Sequence, residues 1–131
     1  MSNFSILIED PPYSSQASLS ALHFVKAALA AGHTITRLFF YQGGVLNASA
    51  LVVPPQDEIN LPAAWQSLIS EHGIDAVVCV SSALKYGVVS QAETDRYELV
   101  GSSLLPGFVI SGIGQLVDAM IGADRHLCFK G

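Results

Sequence analysis

Ala76-Val77-Val78-Cys79-Val80 is an apolar run with no polar alternation, opened by Asp75 and followed by Ser81, Ser82, Lys85 and Gly87. A strand with one wet face alternates apolar and polar residues. A short continuous apolar run between turn signals reads as a strand buried on both faces, as in parallel sheets. Parallel neighbours need crossover connections, so this stretch requires helices on the sheet faces and excludes a simple antiparallel meander. In such folds chemistry gathers at the carboxyl ends of strands, where this run places Cys79.

The rest of the chain supplies matching elements. Phe4-Ser5-Ile6-Leu7-Ile8 reads as the first strand, closed by Asp10-Pro11-Pro12-Tyr13, because proline cannot continue a central ladder. Ser14 or Ser15 caps an amphipathic helix through Ala31 carrying Leu22, Val25, Ala28 and Leu29 on one stripe, with Gly32 at its end. Thr34 to Tyr41 is the second strand, closed by Gln42-Gly43-Gly44. Val45 to Ile59 then reads as an irregular, exposed connector, long enough to suggest a subunit interface. Asn60 caps a helix with Pro62 in its first turn, ending at His72-Gly73. After the Cys79 strand, Ser90 to about Val100 reads as a solvated helix bearing Glu93 and Asp95. Phe108-Val109-Ile110 is a fourth strand. Ser111-Gly112-Ile113-Gly114 opens a helix to about Gly122 with Ile113, Leu116, Val117 and Met120 facing inward, and Arg125 to Phe129 is the last strand. Strands alternating with helices specify one α/β domain over residues 1–131: a three-layer α/β/α arrangement on a mostly parallel sheet of about five strands.

Composition narrows the function. The net charge is −5 and the six Lys and Arg are scattered, so no basic patch exists to hold a phosphate backbone and direct nucleic-acid binding is not expected. Only 13% of residues are charged, against roughly 25% in an average soluble domain, which suggests that part of the surface is covered by partners. No secretion signal opens the sequence and no run reaches membrane-spanning length. The two cysteines are therefore expected as free thiols in a reducing cytoplasm.

Cys79 has two readings. Cysteine is a common small core residue in strands, and position alone favours that role. The other reading is a nucleophile: Ser81 and Ser82 open a helix whose N–H groups stabilise a thiolate, and Lys85 adds positive charge if the chain turns back. Cys128, inside the last strand, reads as structural. Gly112 and Gly114 follow a strand as in phosphate-binding turns, but Val117 stands where a third glycine would be expected. Close packing of the helix on the sheet explains them better, although the turn can still donate N–H groups to an anion near Cys79. His23, His33, His72 and His126 show no ligand spacing, so no metal is expected; a Cys-His pair formed only in space stays open. Asp10 with Tyr13 reads as a turn.

Taken together, Tyr13 with Gln16-Ala17-Ser18, Phe39 to Val45, Val78-Cys79-Val80, Ser111 to Leu116 and Ala123-Asp124-Arg125 resemble the DsrE/TusD sulfurtransferases, in order and over essentially the whole chain. The resemblance implies a cytoplasmic subunit whose strand-end cysteine carries a persulfide, by residue match Cys79; Ser81, Ser82, Lys85, Gly112 and Gly114 are the supporting candidates that the local reading offers. It implies a heterohexamer with TusB/TusC-like or DsrF/DsrH-like subunits, a TusA-like sulfur donor and a TusE/DsrC-like acceptor. No cofactor is required. The Tus branch serves 2-thiolation of wobble uridine in tRNA and the Dsr branch sulfur oxidation. Members often carry one or two basic residues after the cysteine loop, where this chain has Leu84-Lys85-Tyr86. The rival classes are a non-catalytic assembly subunit with Cys79 in its core, and a small-molecule-binding module built on the Gly112–Gly114 turn.

Overall fold

The computed structural model describes residues 1–131. Five strands form one sheet in the order β4-β3-β2-β1-β5: β1 Asn3–Ile8, β2 Thr34–Phe40, β3 Ala76–Cys79, β4 Phe108–Ser111 and β5 Arg125–Phe129. Every neighbouring pair is parallel. All four residues of β3 are buried, as its uninterrupted apolar run requires.

The helices divide unequally between the faces. Helices α1 (Ala17–Ala30) and α2 (Leu61–His72) share a core of 19 buried residues with Ile6, Ile8, Leu38, Phe40, Ala76, Val78 and Phe108 of the strands. The alternate strand residues Leu7, Phe39, Val77 and Cys79 point to the other face, where a much smaller apolar cluster takes in Leu116 of α5 (Gly114–Gly122). This division follows from right-handed crossovers. The chain steps outward from β1 to β4, then α5 carries it back across the sheet to β5, so α5 must lie on the opposite face. Its position is fixed from below by Arg37, whose Nη1 donates to the Gln115 carbonyl at 2.9 Å while Nε pairs with Asp75 at 2.7 Å.

Most boundaries hold, and local chemistry explains them. Asn60 caps α2 by accepting the Ala63 N–H at 3.1 Å, and Gly73 ends it in the left-handed conformation. At α1 the N-cap is Gln16 rather than a serine, although the Ser15 hydroxyl still accepts the Ala17 N–H at 3.2 Å. The solvated helix expected over Ser90 to Val100 is only α4, Gln91–Arg96. A capping box between Ser90 and Glu93 starts it, and Glu98 at φ 54° lies outside the helical region.

Four further expectations are corrected. The segment after β2 is not an exposed connector from Val45 onward: Gln42–Ala48 forms a 3-10 turn with Gly43, Gly44, Val45, Asn47 and Ala48 buried. Only the part beyond it is largely exposed. In α5, Ala119 is the buried residue, while Ile113, Val117 and Met120 are exposed. With Leu116, Val117, Ala119, Met120 and Ile121 among its nine residues, α5 offers two candidate inner stripes, and periodicity alone does not choose between them. Cys128 is exposed rather than packed, because β5 is an edge strand. Cβ atoms added at Gly112 or Gly114 would meet nothing within 4 Å, so close packing does not explain those glycines either. No helix is long and apolar enough to cross a membrane.

Candidate functional site

Cys79 is both the last residue of β3 and the N-cap of α3, Val80–Tyr86. The adjacent strand ends level with it, Cys79 pairing in register with Ser111 of β4. Beyond these two residues the chain diverges. From β3 it enters α3, whose Ala83 joins the large core on one face. From β4 it runs through Gly112 into α5 on the other. Such a divergence at the carboxyl edge of a parallel sheet is the place where α/β folds put their ligands. The geometry therefore brings Cys79, Ser81, Ser82 and the start of the Gly112–Gly114 turn to one stretch of that edge.

Within it the thiol is enclosed, 3% exposed, beside Phe39 and Val77 with Tyr41 and Leu116 packed against them. Burial pushes the Cys79 thiol up. Hydrogen bonds from the Ser81 hydroxyl, the Ser82 backbone N–H, the Ser82 hydroxyl and the Ser81 backbone N–H outweigh that, leaving it below the ordinary thiol value. Sγ lies 3.5 Å from the Ser81 Oγ. Lys85 occupies the last turn of α3 and is exposed, and it is not among the groups that move the thiol. Neutral and backbone dipoles, rather than a formal charge, favour the thiolate.

Cys128 is the opposite case. Its Sγ donates to Glu9 Oε2 at 3.0 Å. Burial, then the Glu9 hydrogen bond and negative charge, push this thiol up from 9.0 to about 11. Cys128 should therefore alkylate slowly at neutral pH in spite of its exposure, with a midpoint near 11. Glu9→Gln removes the charge and should lower that midpoint part of the way, since burial remains; an unchanged pH profile of iodoacetamide labelling would contradict this. The sign for stability follows: a raised thiol contributes fully below 9.0 and loses its contribution as pH rises towards about 11.

Two features of the site had no sequence signal. Gln42 holds a left-handed φ of 49°, and its backbone N–H donates to Ser82 Oγ at 2.9 Å. Tyr13, read as part of a turn, instead donates to the Ile59 carbonyl at 2.7 Å and accepts the Leu61 N–H at 3.0 Å, tying the first loop to the start of α2. Asp10 does close a turn, accepting the Ser15 hydroxyl at 2.6 Å. The structure contains no group of three or more His, Cys, Asp or Glu side chains able to hold a metal ion. His126 meets Ser5 Oγ at 3.0 Å, and none of the four histidines is a hydrogen-bond partner of Cys79.

The DsrE/DsrF-like family profile matches residues 2–129. The chain belongs to the DsrE/DsrF-like family. A Pseudomonas aeruginosa relative named sulfurtransferase TusD homolog is 52% identical over 128 residues, covering 98% of this chain and 97% of that one. The sulfurtransferase TusD of Salmonella dublin is 40% identical over 126 residues, 96% of this chain and 98% of its own. A putative sulfurtransferase DsrE of Allochromatium vinosum is 44% identical over 126 residues, 96% of this chain and 97% of its own. The crystal structure of the YchN protein from Escherichia coli superposes with a TM-score of 0.75 at 18% identity, over 98% of this chain and 100% of that one. At that identity the likeness shows the α/β fold alone.

Proposed function

We propose that this DsrE/DsrF-like protein is a sulfur-relay sulfurtransferase in which Cys79 carries sulfur as a persulfide. The observation that carries this reading is the enclosed thiol at the carboxyl end of β3, hydrogen-bonded to the Ser81 hydroxyl, with its thiolate favoured by Ser81 and Ser82. The thiolate attacks the outer sulfur of a donor persulfide, RS–SH. The S–S bond to R breaks, the RS⁻ thiolate leaves, and Cys79–S–SH forms with no net oxidation. The acceptor's thiolate then attacks the outer sulfur on Cys79 and regenerates the thiolate. Neither step uses a metal, a cofactor or a second cysteine of this chain. Because Cys79 is 3% exposed, transfer requires the side chains packed over the thiol to part when a carrier docks.

The relay is proposed to run in the cytoplasm from a TusA-like donor to a TusE/DsrC-like acceptor, with tRNA wobble-uridine 2-thiolation as its end use. The 52% identity to a TusD homolog favours this use. The 44% identity to a DsrE protein supports sulfur oxidation as the second reading. Restoration of 2-thiouridine in a strain lacking its own TusD supports the first; failure to restore it, with the protein expressed and folded, removes it. To test the carrier role itself, the protein is incubated with a small-molecule persulfide and digested. An added sulfur on the peptide containing Cys79 is expected. Sulfur found only on the Cys128 peptide, or on neither, overturns the reading.

TusB/TusC-like or DsrF/DsrH-like partner subunits fit the outward stripe of α5. Ile113, Val117, Met120 and Ile121 are 50%, 51%, 44% and 81% exposed, and Val109 of β4 on the same sheet face is 56% exposed. A contiguous exposed apolar patch of this kind is normally covered by a partner. Ile121→Asp should leave the fold and the Cys79 titration intact and abolish co-purification with the partner subunits. Unimpaired assembly of that variant would locate the interface elsewhere.

A further inference from the structure

Ser111 ends β4 level with Cys79 at the end of β3, and the chain leaving it must reach α5, which packs on β2 and β1. Strand β3 lies between β4 and those two strands. The segment from Gly112 to Gln115 therefore crosses β3 on the face to which Cys79 points. Its far end fits that path. The Gln115 carbonyl meets Arg37 Nη1 of β2 at 2.9 Å, and Leu116 packs against the cluster of Phe39, Val77 and Cys79. The first turn of α5 is thus part of what encloses the thiol.

This cover is held lightly. Only Ala119 of α5 is buried. The N-cap is Ile113, with no side-chain hydrogen bond to the first N–H groups, so the turn lacks what a serine or asparagine cap supplies. Its opening bonds, Gln115 N–H to the Gly112 carbonyl at 3.1 Å and Leu116 N–H to the Ile113 carbonyl at 3.0 Å, have the three-residue span of poorer geometry. Gly112 and Gly114 are not among the glycines at positive φ, and a Cβ on either meets nothing within 4 Å. Neither conformation nor space requires glycine there; what glycine adds is backbone freedom. The side-chain ties from the sheet to α5 both come from Arg37, on the Gln115 carbonyl and 3.6 Å from Asp118 Oδ2. On the other side of the thiol, α3 is anchored by Ala83 in the large core, and the Tyr41 N–H is fixed to the Ile8 carbonyl at 3.0 Å.

We infer that the Gly112–Leu116 segment is a gate over Cys79, swinging out on Gly112 and Gly114 to admit a carrier and latched shut by Arg37 at the Gln115 carbonyl. The gate rests on the carrier reading for its purpose, since a thiol that must meet another protein has to be uncovered. Its test reads access to the sulfur and not sulfur transfer.

The experiment follows iodoacetamide labelling of Cys79 in a Cys128→Ser background. Fluorescence of Trp65, the single tryptophan and buried in the core of the opposite face, reports an intact fold. Arg37→Met keeps the apolar stem and removes both ties to α5. It should speed labelling about threefold to tenfold, equally at every pH, because Arg37 is not among the groups that move the thiol. Gly112→Ala combined with Gly114→Ala should slow labelling about twofold to fivefold, since alanine takes more freedom from the opened segment than from the closed one. Low urea should leave the rate nearly flat, because a local opening exposes little surface. A folded Arg37→Met protein labelled at the wild-type rate overturns the inference. So does a glycine double variant labelled no more slowly, or a rate that climbs with urea as steeply as global unfolding. Should Arg37→Met not fold, hydrogen exchange in the Cys128→Ser protein decides: the Leu116 and Val117 amides should open as often as the thiol does and far more often than the amide of Val78. Exchange of those two amides only through global unfolding overturns the gate. Absence of sulfur uptake with the expected labelling rates removes the carrier reading and leaves the gate standing; sulfur uptake with unaltered rates does the reverse.

Discussion

Cys79→Ser is expected to abolish sulfur uptake completely, while Cys128→Ser retains it. The two thiols sit in the same sheet and differ in what surrounds the sulfur. At Cys79, Ser81 and Ser82 present hydroxyl and backbone N–H donors that stabilise negative charge. At Cys128 the neighbour is the Glu9 carboxylate, which accepts a hydrogen bond from the thiol and would repel its thiolate. Sulfur transfer needs a thiolate at the moment of attack, so an exposed thiol held near 11 is a poorer acceptor than an enclosed one shifted down. Serine cannot substitute, since its hydroxyl stays protonated and forms no stable bond to sulfane sulfur. Wild-type uptake should rise with pH and level off below the pH at which an ordinary cysteine does. The linkage sign agrees: a depressed thiol adds stability above its unfolded value and loses it as pH falls through the folded one. Whole-protein mass spectrometry across a pH series measures both, and undiminished uptake by Cys79→Ser would sink the assignment.

Trp65→Ala should be the most damaging core substitution, at about 3–5 kcal/mol, a large share of the roughly 5–15 kcal/mol that holds a domain together. Trp65 is fully buried and packs edge-on to Phe40 with ring centroids 5.5 Å apart. Phe40 in turn packs on Phe108 at 5.5 Å. Removing the indole opens a cavity between α2 and three strands that short side chains nearby cannot fill. The Trp65 indole N–H has no hydrogen-bond partner, so Trp65→Phe deletes an unsatisfied donor as well as some volume. It should cost less than half as much as the alanine variant. Urea unfolding followed by circular dichroism measures both midpoints; an alanine variant no less stable than the phenylalanine one would contradict this packing.

Much of the sheet was legible because parallel strands carry their own signature. Ala76 to Cys79 has no polar alternation, and Asn60, Pro62 and Gly73 mark both ends of α2 with residues whose chemistry fits only those places. The same logic failed where local pattern is symmetric. In α5 two apolar stripes compete, and only the Arg37 contact with the Gln115 carbonyl and the return crossover to β5 determine which faces the sheet. The Gln42–Ala48 turn reads as loop because glycine, asparagine and glutamine look like solvent-exposed punctuation. Its burial comes from β1 and α3, which are distant in sequence.

Cys79 divides along the same line. The sequence alone determined that a thiol ends a buried parallel strand before a serine-rich helix start, since that depends on neighbours along the chain. Motif order over the whole length further tied that strand to a sulfurtransferase family. Only the tertiary structure decided how the thiol is tuned. The groups that favour the thiolate belong to Ser81 and Ser82, whose hydroxyl in the second case also accepts the Gln42 N–H from across the fold, and Lys85 is not among them. Charge can be counted from residue types, but hydrogen bonds depend on direction, and direction exists only once the chain has folded.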